Sequence, residues 1–203
     1  MIAALERAAA RTVSRETLGR VSAYAEMLIA ESSKQNLISA KSIDHLWDRH
    51  ILDAAQLIRF GEHHDATWAD VGAGAGLPGI VIACFDIGPI TLIEPRRLRA
   101  EFLNDVIDKL ALNARVIATK AENATGHFDI ITARAVAPLS RLLEISIHLS
   151  TRKTCWVLPK GRSAQSELAE AKRTWQGKFH VEPSFTDPGS EIIIAREVTA
   201  RRQ

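Results

Sequence analysis

Residues 67–79 read Thr67-Trp68-Ala69-Asp70-Val71-Gly72-Ala73-Gly74-Ala75-Gly76-Leu77-Pro78-Gly79. The segment 67–71 predicts a short strand that runs directly into a glycine-rich turn, and Pro78 suits the first turn of a following helix, where its missing N–H costs nothing. Glycines in such a turn let the chain reverse tightly and bring its backbone against a ligand. A dinucleotide loop requires G-x-G-x-x-G, so that a pyrophosphate can rest on the helix N-terminus. Counting from Gly72, the third glycine of that pattern would fall at Leu77. The spacing here is G-x-G-x-G behind an acid, Asp70, which departs from the dinucleotide pattern.

Downstream of the turn, short apolar runs alternate with amphipathic stretches. The pattern predicts strands over 67–71, 90–93, 115–118, 128–133 and 154–158, with helices over 78–85, 96–110, 139–148 and 165–175. Strands alternating with helices imply a mostly parallel α/β sheet with right-handed crossovers. Two strand-like runs at 178–184 and 191–197 are joined by Thr186-Asp187-Pro188-Gly189-Ser190, with no room for a helix. They predict a C-terminal antiparallel hairpin. Upstream, apolar residues at helical spacing predict one helix over 14–30 and a second over 42–60, with Ser42 as N-cap and Gly61 as stop signal. Residues 1–62 are thus expected to form a helical extension packed on a single structural unit, 63–203.

The chain has 203 residues, 46% hydrophobic and 25% charged, which suits one soluble α/β domain with a short extension. No apolar run approaches the roughly 18 residues of a membrane span, and Met1-Ile2-Ala3-Ala4-Leu5-Glu6-Arg7 lacks the pattern of a secretory signal. Cys84 and Cys155 each sit in an apolar segment and read as buried thiols suited to a reducing cytoplasm. His63-His64 has no matching Cys or Asp cluster, so no metal site is expected. Trp47, Trp68, Trp156 and Trp175 read as packing residues. A net charge of +2 does not announce a nucleic-acid binder; the placement of the charges matters more. In an open parallel sheet the loops after the strands share one rim. Arg96, Arg97 and Arg99 follow the second strand, Arg134 the fourth, and Lys160 with Arg162 the fifth. The fold would gather them as an RNA-phosphate site requires. The competing readings are decoration of a helix face for the first three and an internal salt bridge for Arg134.

A parallel sheet closed by an antiparallel hairpin, with an acid before G-x-G-x-G, resembles the class I S-adenosylmethionine-dependent methyltransferases, a Rossmann-like fold. The resemblance implies S-adenosylmethionine as cofactor, with Asp70, Gly72, Gly74, Gly76 and Leu77 forming or orienting its loop. Glu94 lies 22 positions after Gly72, and a carboxylate there can accept from both ribose hydroxyls. Ala121-Glu122, after the third strand, would flank the adenine. Some methyl acceptors are disfavoured by absence. Pyrimidine carbon-5 needs a cysteine nucleophile on a suitable loop, and neither cysteine is so placed. Exocyclic amines call for an Asn/Asp-Pro-Pro-aromatic tetrad after the fourth strand, where this chain has Ala133-Arg134-Ala135-Val136-Ala137-Pro138. Guanine N7 carries an in-plane lone pair and needs alignment without a general base. Two alternatives stay open: a methyltransferase of a small molecule or protein, and a non-catalytic cofactor-sensing RNA-binding protein.

An ordered set of motifs narrows this. Asp70-Val71 through Leu77-Pro78-Gly79-Ile80, Thr132-Ala133-Arg134-Ala135, and Leu158-Pro159-Lys160-Gly161 closely resemble the bacterial glucose-inhibited division protein B family. Asn36-Leu37 and Arg49-His50-Ile51-Leu52-Asp53 are similar to its N-terminal signatures. That family methylates guanine N7 in the 530 loop of 16S ribosomal RNA. The resemblance implies that Gly72, Leu77, Ala121, Glu122 and Arg134 contact the cofactor or line its pocket and that Glu94 takes the ribose. It implies that Arg134 and Lys160 shape the reacting site, and that Arg49, His50 and Lys160 face the RNA or hold the N-terminal helices against the site. Arg96 and Arg162 join them as RNA-binding candidates on the rim. The expected partner is 16S ribosomal RNA or the small subunit, and a cytoplasmic monomer without membrane or metal is expected. The sequence departs from the family pattern at Ala54, at Ala73 and at Glu94-Pro95, none of which removes a group the chemistry needs. For His50 the competing reading is a satisfied core histidine.

Overall fold

The computed structural model describes residues 1–61 and 65–201; His63 and His64 lie outside the described residues. Seven strands form one sheet: β1 (Trp68–Val71), β2 (Ile90–Ile93), β3 (Ala114–Ile117), β4 (Ile130–Thr132), β5 (Cys155–Gly161), β6 (Trp175–Pro183) and β7 (Glu191–Ala200). Their order is β3-β2-β1-β4-β5-β7-β6, with β1 to β5 parallel and β7 antiparallel to both β5 and β6. The expected class I sheet, closed by its hairpin, is the one observed. The strand order reverses beside β1, so the loops after β1 and β4 open onto one crevice.

Alternation along the strands explains the two-faced core. Trp68, Ile90, Leu92, Ile130, Cys155, Val157 and Ile192 bury on one side. Ala69, Val71, Ile131, Trp156, Leu158, Ile193 and Ala195 bury on the other. The first side is covered by α1 (Ile2–Ala9), α2 (Arg15–Gln35), α5 (Gly79–Cys84) and α6 (Arg97–Leu110), and the second by α7 (Leu139–Ser146) and α8 (Ala164–Ala171). Ser14 caps α2 by accepting from Thr17 N–H at 3.0 Å. Both cysteines are free and buried; burial pushes the Cys84 thiol up to about 12. Trp68, Trp156 and Trp175 are buried, and Trp47 packs against the core. No helix among the described residues is long and apolar enough to cross a membrane.

Two expectations are corrected. The helix expected over 42–60 is broken into α3 (Ala40–Ile43), a π-helical turn (Trp47–Ile51), α4 (Leu52–Ala55) and a 3₁₀ turn (Gln56–Phe60). The cap lies at Ser39, whose hydroxyl is 2.7 Å from that of Ser42. The apolar stripe is compatible with all these windings, and only the local hydrogen bonds distinguish them. The helix expected over 165–175 ends at Ala171, because Trp175 begins β6 by pairing with Ala200 on β7.

Candidate active site

The glycine turn leaves the C-terminal end of β1. Gly72, Gly74 and Gly76 all have positive φ, at 71°, 57° and 96°, a region in which residues with a Cβ are strained. Gly72 N–H and Ala73 N–H both donate to Ile93 O, at 2.8 and 3.0 Å. The turn is braced from two sides. Glu94, 3% exposed, accepts from Gly74 N–H through Oε2 at 2.8 Å and from Arg96 N–H through Oε1 at 2.9 Å. Tyr24 of α2, the chain's single tyrosine, donates its buried hydroxyl to Ala75 O at 2.9 Å. Leu77 is buried in the core behind the turn.

Asp70 is the buried acid of this site. Its Oδ2 accepts from Gly79 N–H at 2.8 Å, while its Oδ1 is buried with no hydrogen-bond partner. Burial pushes this carboxyl up to about 7, against the pull of Gly79 N–H and the Arg134 charge and with a further push from Glu94. A buried acceptor without a donor requires one. Together with Glu94, whose two oxygens each keep a lone pair free for a hydroxyl, it suits an adenosyl ligand carrying an ammonium group. Ala121 lies buried in a 3₁₀ turn (Ala121–Asn123) after β3. Glu122 instead points to solvent and meets Arg141 at 3.4 Å.

Across the crevice, Arg134 follows β4. Its Nη1 lies 3.0 Å from His50 Nδ1 and 3.6 Å from Asp53 Oδ2. A guanidinium only donates, so His50 Nδ1 accepts and the ring proton sits on Nε2, which is buried without a partner. Burial and the Arg134 charge hold this imidazole down to about 4. His50 is therefore not a satisfied core residue. The π-helical turn Trp47–Ile51 carries it into contact with Arg134.

Asp53 continues the network. Its Oδ1 accepts from Gln56 Nε2 at 2.8 Å and from the Thr186 hydroxyl at 3.0 Å. Gln56, 1% exposed, also donates to Ser184 Oγ at 3.1 Å and accepts from Phe185 N–H at 2.7 Å. The tip of the β6–β7 hairpin is thus tied to the N-terminal helices and, through Asp53, to Arg134. Gln56, Tyr24 and Glu167 were not singled out from the sequence. Gln56 left a signal, an amide within Ala54-Ala55-Gln56-Leu57-Ile58; Glu167 left none.

Two cavities open beside this network. One, of 550 Å³, is lined by Asp53, Arg134, Val136, Lys160, Glu167 and Ser190 among others. The other, of 680 Å³, is lined by His45, Arg49, His50, Asp53, Arg162 and Asp187 among others, and shares Asp53 and Ser190 with the first. Arg49 and Arg162 are exposed, and Asp187, hydrogen-bonded by Ser190 and Gly189 and next to both arginines, is held below its ordinary range. Arg96 is exposed and serves Glu94 through its backbone. Lys160, expected to face the RNA or hold the N-terminal helices against the site, turns inward. It is 8% exposed, donates to Ala137 O at 2.8 Å and pairs with Glu167 at 3.0 Å, because the β5–α8 turn brings Glu167 to its ammonium.

Comparison with known proteins places this arrangement. A ribosomal RNA small subunit methyltransferase G from Zymomonas mobilis is 40% identical over 200 residues, covering 94% of this chain and 90% of the relative. One from Novosphingobium aromaticivorans is 42% identical, covering 94% of this chain and 85% of the relative. Among solved structures, an S-adenosylmethionine-dependent methyltransferase from Aquifex aeolicus superposes with a TM-score of 0.58 at 14% identity, over 74% of this chain and 91% of that one. Magnesium protoporphyrin IX methyltransferase from Synechocystis gives 0.57 at 13% identity, over 80% and 83%. These last two likenesses speak to the fold alone. Residues 18–191 match the family described as GidB, rRNA small subunit methyltransferase G, and the chain belongs to that family.

Proposed function

We propose that this chain transfers a methyl group from S-adenosylmethionine to N7 of a guanine in the 530 loop of 16S ribosomal RNA. When bound, the cofactor supplies a sulfonium-activated methyl group, whose transfer uses the N7 lone pair and leaves the bonding electrons on sulfur. In this reading Asp70 and the turn containing Gly72, Gly74, Gly76 and Leu77 hold the methionine end. Glu94 takes the ribose hydroxyls, and Ala121 with the Glu122 backbone borders the adenine. Arg134 borders both the cofactor and the acceptor, and Arg49, Arg96 and Arg162 take RNA phosphates. Lys160 acts from beneath by fixing the loop that carries Arg134. Residues 1–62 form the helical extension and 63–203 the catalytic unit, working as a cytoplasmic monomer.

The observation that carries the reading is a cavity whose carboxylates are each already engaged by a neighbouring group. Of its three carboxylates, Asp53 is held by Gln56, Thr186 and Arg134, Glu167 by Lys160, Leu139 and Ser163, and Glu191 by Gln165. His50 lends its acceptor nitrogen to Arg134. Such a site suits an acceptor that arrives with its lone pair free, and it supports transfer by alignment and exclusion of water.

The test uses methyl-labelled S-adenosylmethionine with 16S RNA and with small-subunit particles from cells lacking this gene. Label mapped to one N7-methylguanine in the 530 loop is expected. No label in either substrate, with cofactor binding measured, would overturn the reading in favour of a small-molecule acceptor or a non-catalytic role.

A further inference from the structure

The β4–α7 loop, residues 134–138, spans the crevice. It carries Arg134 at one end, and Val136 at its centre rests on the turn so closely that a Cβ on Gly72 would stand 2.6 Å from Val136 Cγ2. Ala135 holds a positive φ of 56°, a conformation that an alanine keeps only under restraint from its surroundings. The N-terminal end of the loop is fixed by β4. The other end runs into the buried Leu139 of α7 and is gripped there by a carboxylate on α8. Glu167 Oε2 accepts from Leu139 N–H at 2.8 Å and lies 3.0 Å from Lys160 Nζ, while Oε1 accepts from the Ser163 hydroxyl at 2.6 Å. Lys160 in turn donates to Ala137 O at 2.8 Å.

Each of these bonds answers a specific need. Leu139 N–H is the first orphan donor of α7, which has Pro138 at its cap position and no side-chain cap of its own. A carboxylate at that end also meets the positive pole of the helix. Ala137 O belongs to a loop that makes no strand pairing. Burial pushes the Glu167 carboxyl up, but the bonds from Ser163 and Lys160, the Lys160 charge and Leu139 N–H outweigh it and hold the group ionised.

We infer that Glu167 is a positioning residue for methyl transfer: gripping Leu139 N–H directly and Ala137 O through Lys160, it sets the loop that places Arg134 and Val136 against the glycine turn. The inference rests on the proposed reaction for its kinetic arm only. Glu167 reaches no cofactor atom in this reading, and it acts by shape.

The experiment compares the full-length wild type with Glu167→Ala and Glu167→Gln, normalised to cofactor-binding sites. The Ala variant should lose roughly tenfold to a hundredfold in kcat, as displacement of a positioning loop does, with KM for the ribosomal substrate little changed. Gln can still accept from Leu139 N–H and should lose less. Hydrogen exchange at the Leu139 amide should accelerate in the Ala variant and hardly in the Gln variant, a readout that stands even if wild type methylates no RNA. The double exchange Lys160→Glu with Glu167→Lys restores opposite charges with their places reversed. A carboxylate at position 160 cannot donate to Ala137 O, and an ammonium at position 167 cannot accept from Leu139 N–H, so the exchange should not recover activity. Recovery by that exchange, or wild-type kcat per site in Glu167→Ala with unchanged Leu139 exchange, overturns the inference. If the Ala variant fails to fold, Glu167→Gln decides by the same two measures: a moderate kcat loss with Leu139 protected supports it, and wild-type kcat overturns it.

Discussion

Arg134 Nη1 lies 3.0 Å from His50 Nδ1, and this contact joins the N-terminal helical segment to the loop after β4. The two residues are 84 positions apart, and each arrives by an irregular element: His50 on a π-helical turn, Arg134 just before an alanine with positive φ. Asp53 Oδ2, at 3.6 Å, sits on the same guanidinium. The charge is thus held between a neutral ring and a carboxylate, both fixed by the same short stretch of chain.

Replacing Arg134 with Ala should abolish most turnover while the protein stays folded, since the side chain already borders an open cavity and Asp53 keeps its bonds from Gln56 and Thr186. The loss expected is on the order of a hundredfold or more in kcat/KM, in the range for removal of a group that aligns and stabilises the reacting atoms. His50→Phe keeps the bulk and removes the acceptor, and should cost a smaller part of the same activity by freeing Arg134. Methyl transfer and circular dichroism on both variants check this. Full activity in Arg134→Ala would refute the assignment.

Asp70 gives stability an unusual pH dependence. Its carboxyl is raised to about 7 by burial, so between roughly pH 4 and 7 the native protein holds a proton that the unfolded chain has released. This contribution is therefore full below pH 4 and is lost as pH rises through about 7, at a cost on the order of 2–4 kcal/mol. Asp70→Asn can still accept from Gly79 N–H and carries no charge to bury. Its stability advantage over wild type should grow from about pH 5 to pH 8.5 in urea titrations. An advantage independent of pH would contradict the raised carboxyl.

Much of this was legible in the sequence, for reasons the structure makes plain. The sheet and its cofactor turn follow from short continuous apolar runs and from glycines whose φ values no other residue adopts cheaply, both of which are local signals. Glu94 could be found because strand length fixes its distance from Gly72. The windings within 40–60 could not, because α, π and 3₁₀ turns share one apolar stripe. Nor could the inward turn of Lys160, because Glu167 lies seven positions on and reads as an ordinary exposed helix acid. Side-chain networks between distant segments, such as Gln56 with Ser184, are set by the fold after it forms.

Gln56 offers a test of how firmly the hairpin tip is held. It is 1% exposed and bonds Asp53, Ser184, Thr186 and the Phe185 amide. Gln56→Leu preserves the volume but leaves buried partners without bonds, at a cost of roughly 2–4 kcal/mol. Hydrogen exchange at Phe185 should accelerate in the native state, and methyl transfer should fall because Asp53 is released. A variant as stable as wild type, with Phe185 still protected, would show that the tip is held by other contacts.

The contact between Val136 and the glycine turn can be measured as a coupling. Gly72 has φ of 71°, and a Cβ there would stand 2.6 Å from Val136 Cγ2. Gly72→Ala therefore has two costs: backbone strain of about 1–2 kcal/mol, and a steric clash that must move the loop. Val136→Ala removes the second and leaves the first. The double variant should be more stable than the sum of the single losses predicts, by roughly 0.5–3 kcal/mol, as expected for residues in contact. Cofactor affinity should follow a different course: the φ strain persists, so the turn stays displaced and binding remains weaker than wild type even where stability recovers. Denaturant titrations of the four proteins give the coupling, and calorimetric titration with S-adenosylmethionine gives the affinity. Strict additivity in stability would mean that Val136 does not rest on Gly72 in solution, and that the loop stands open over the turn.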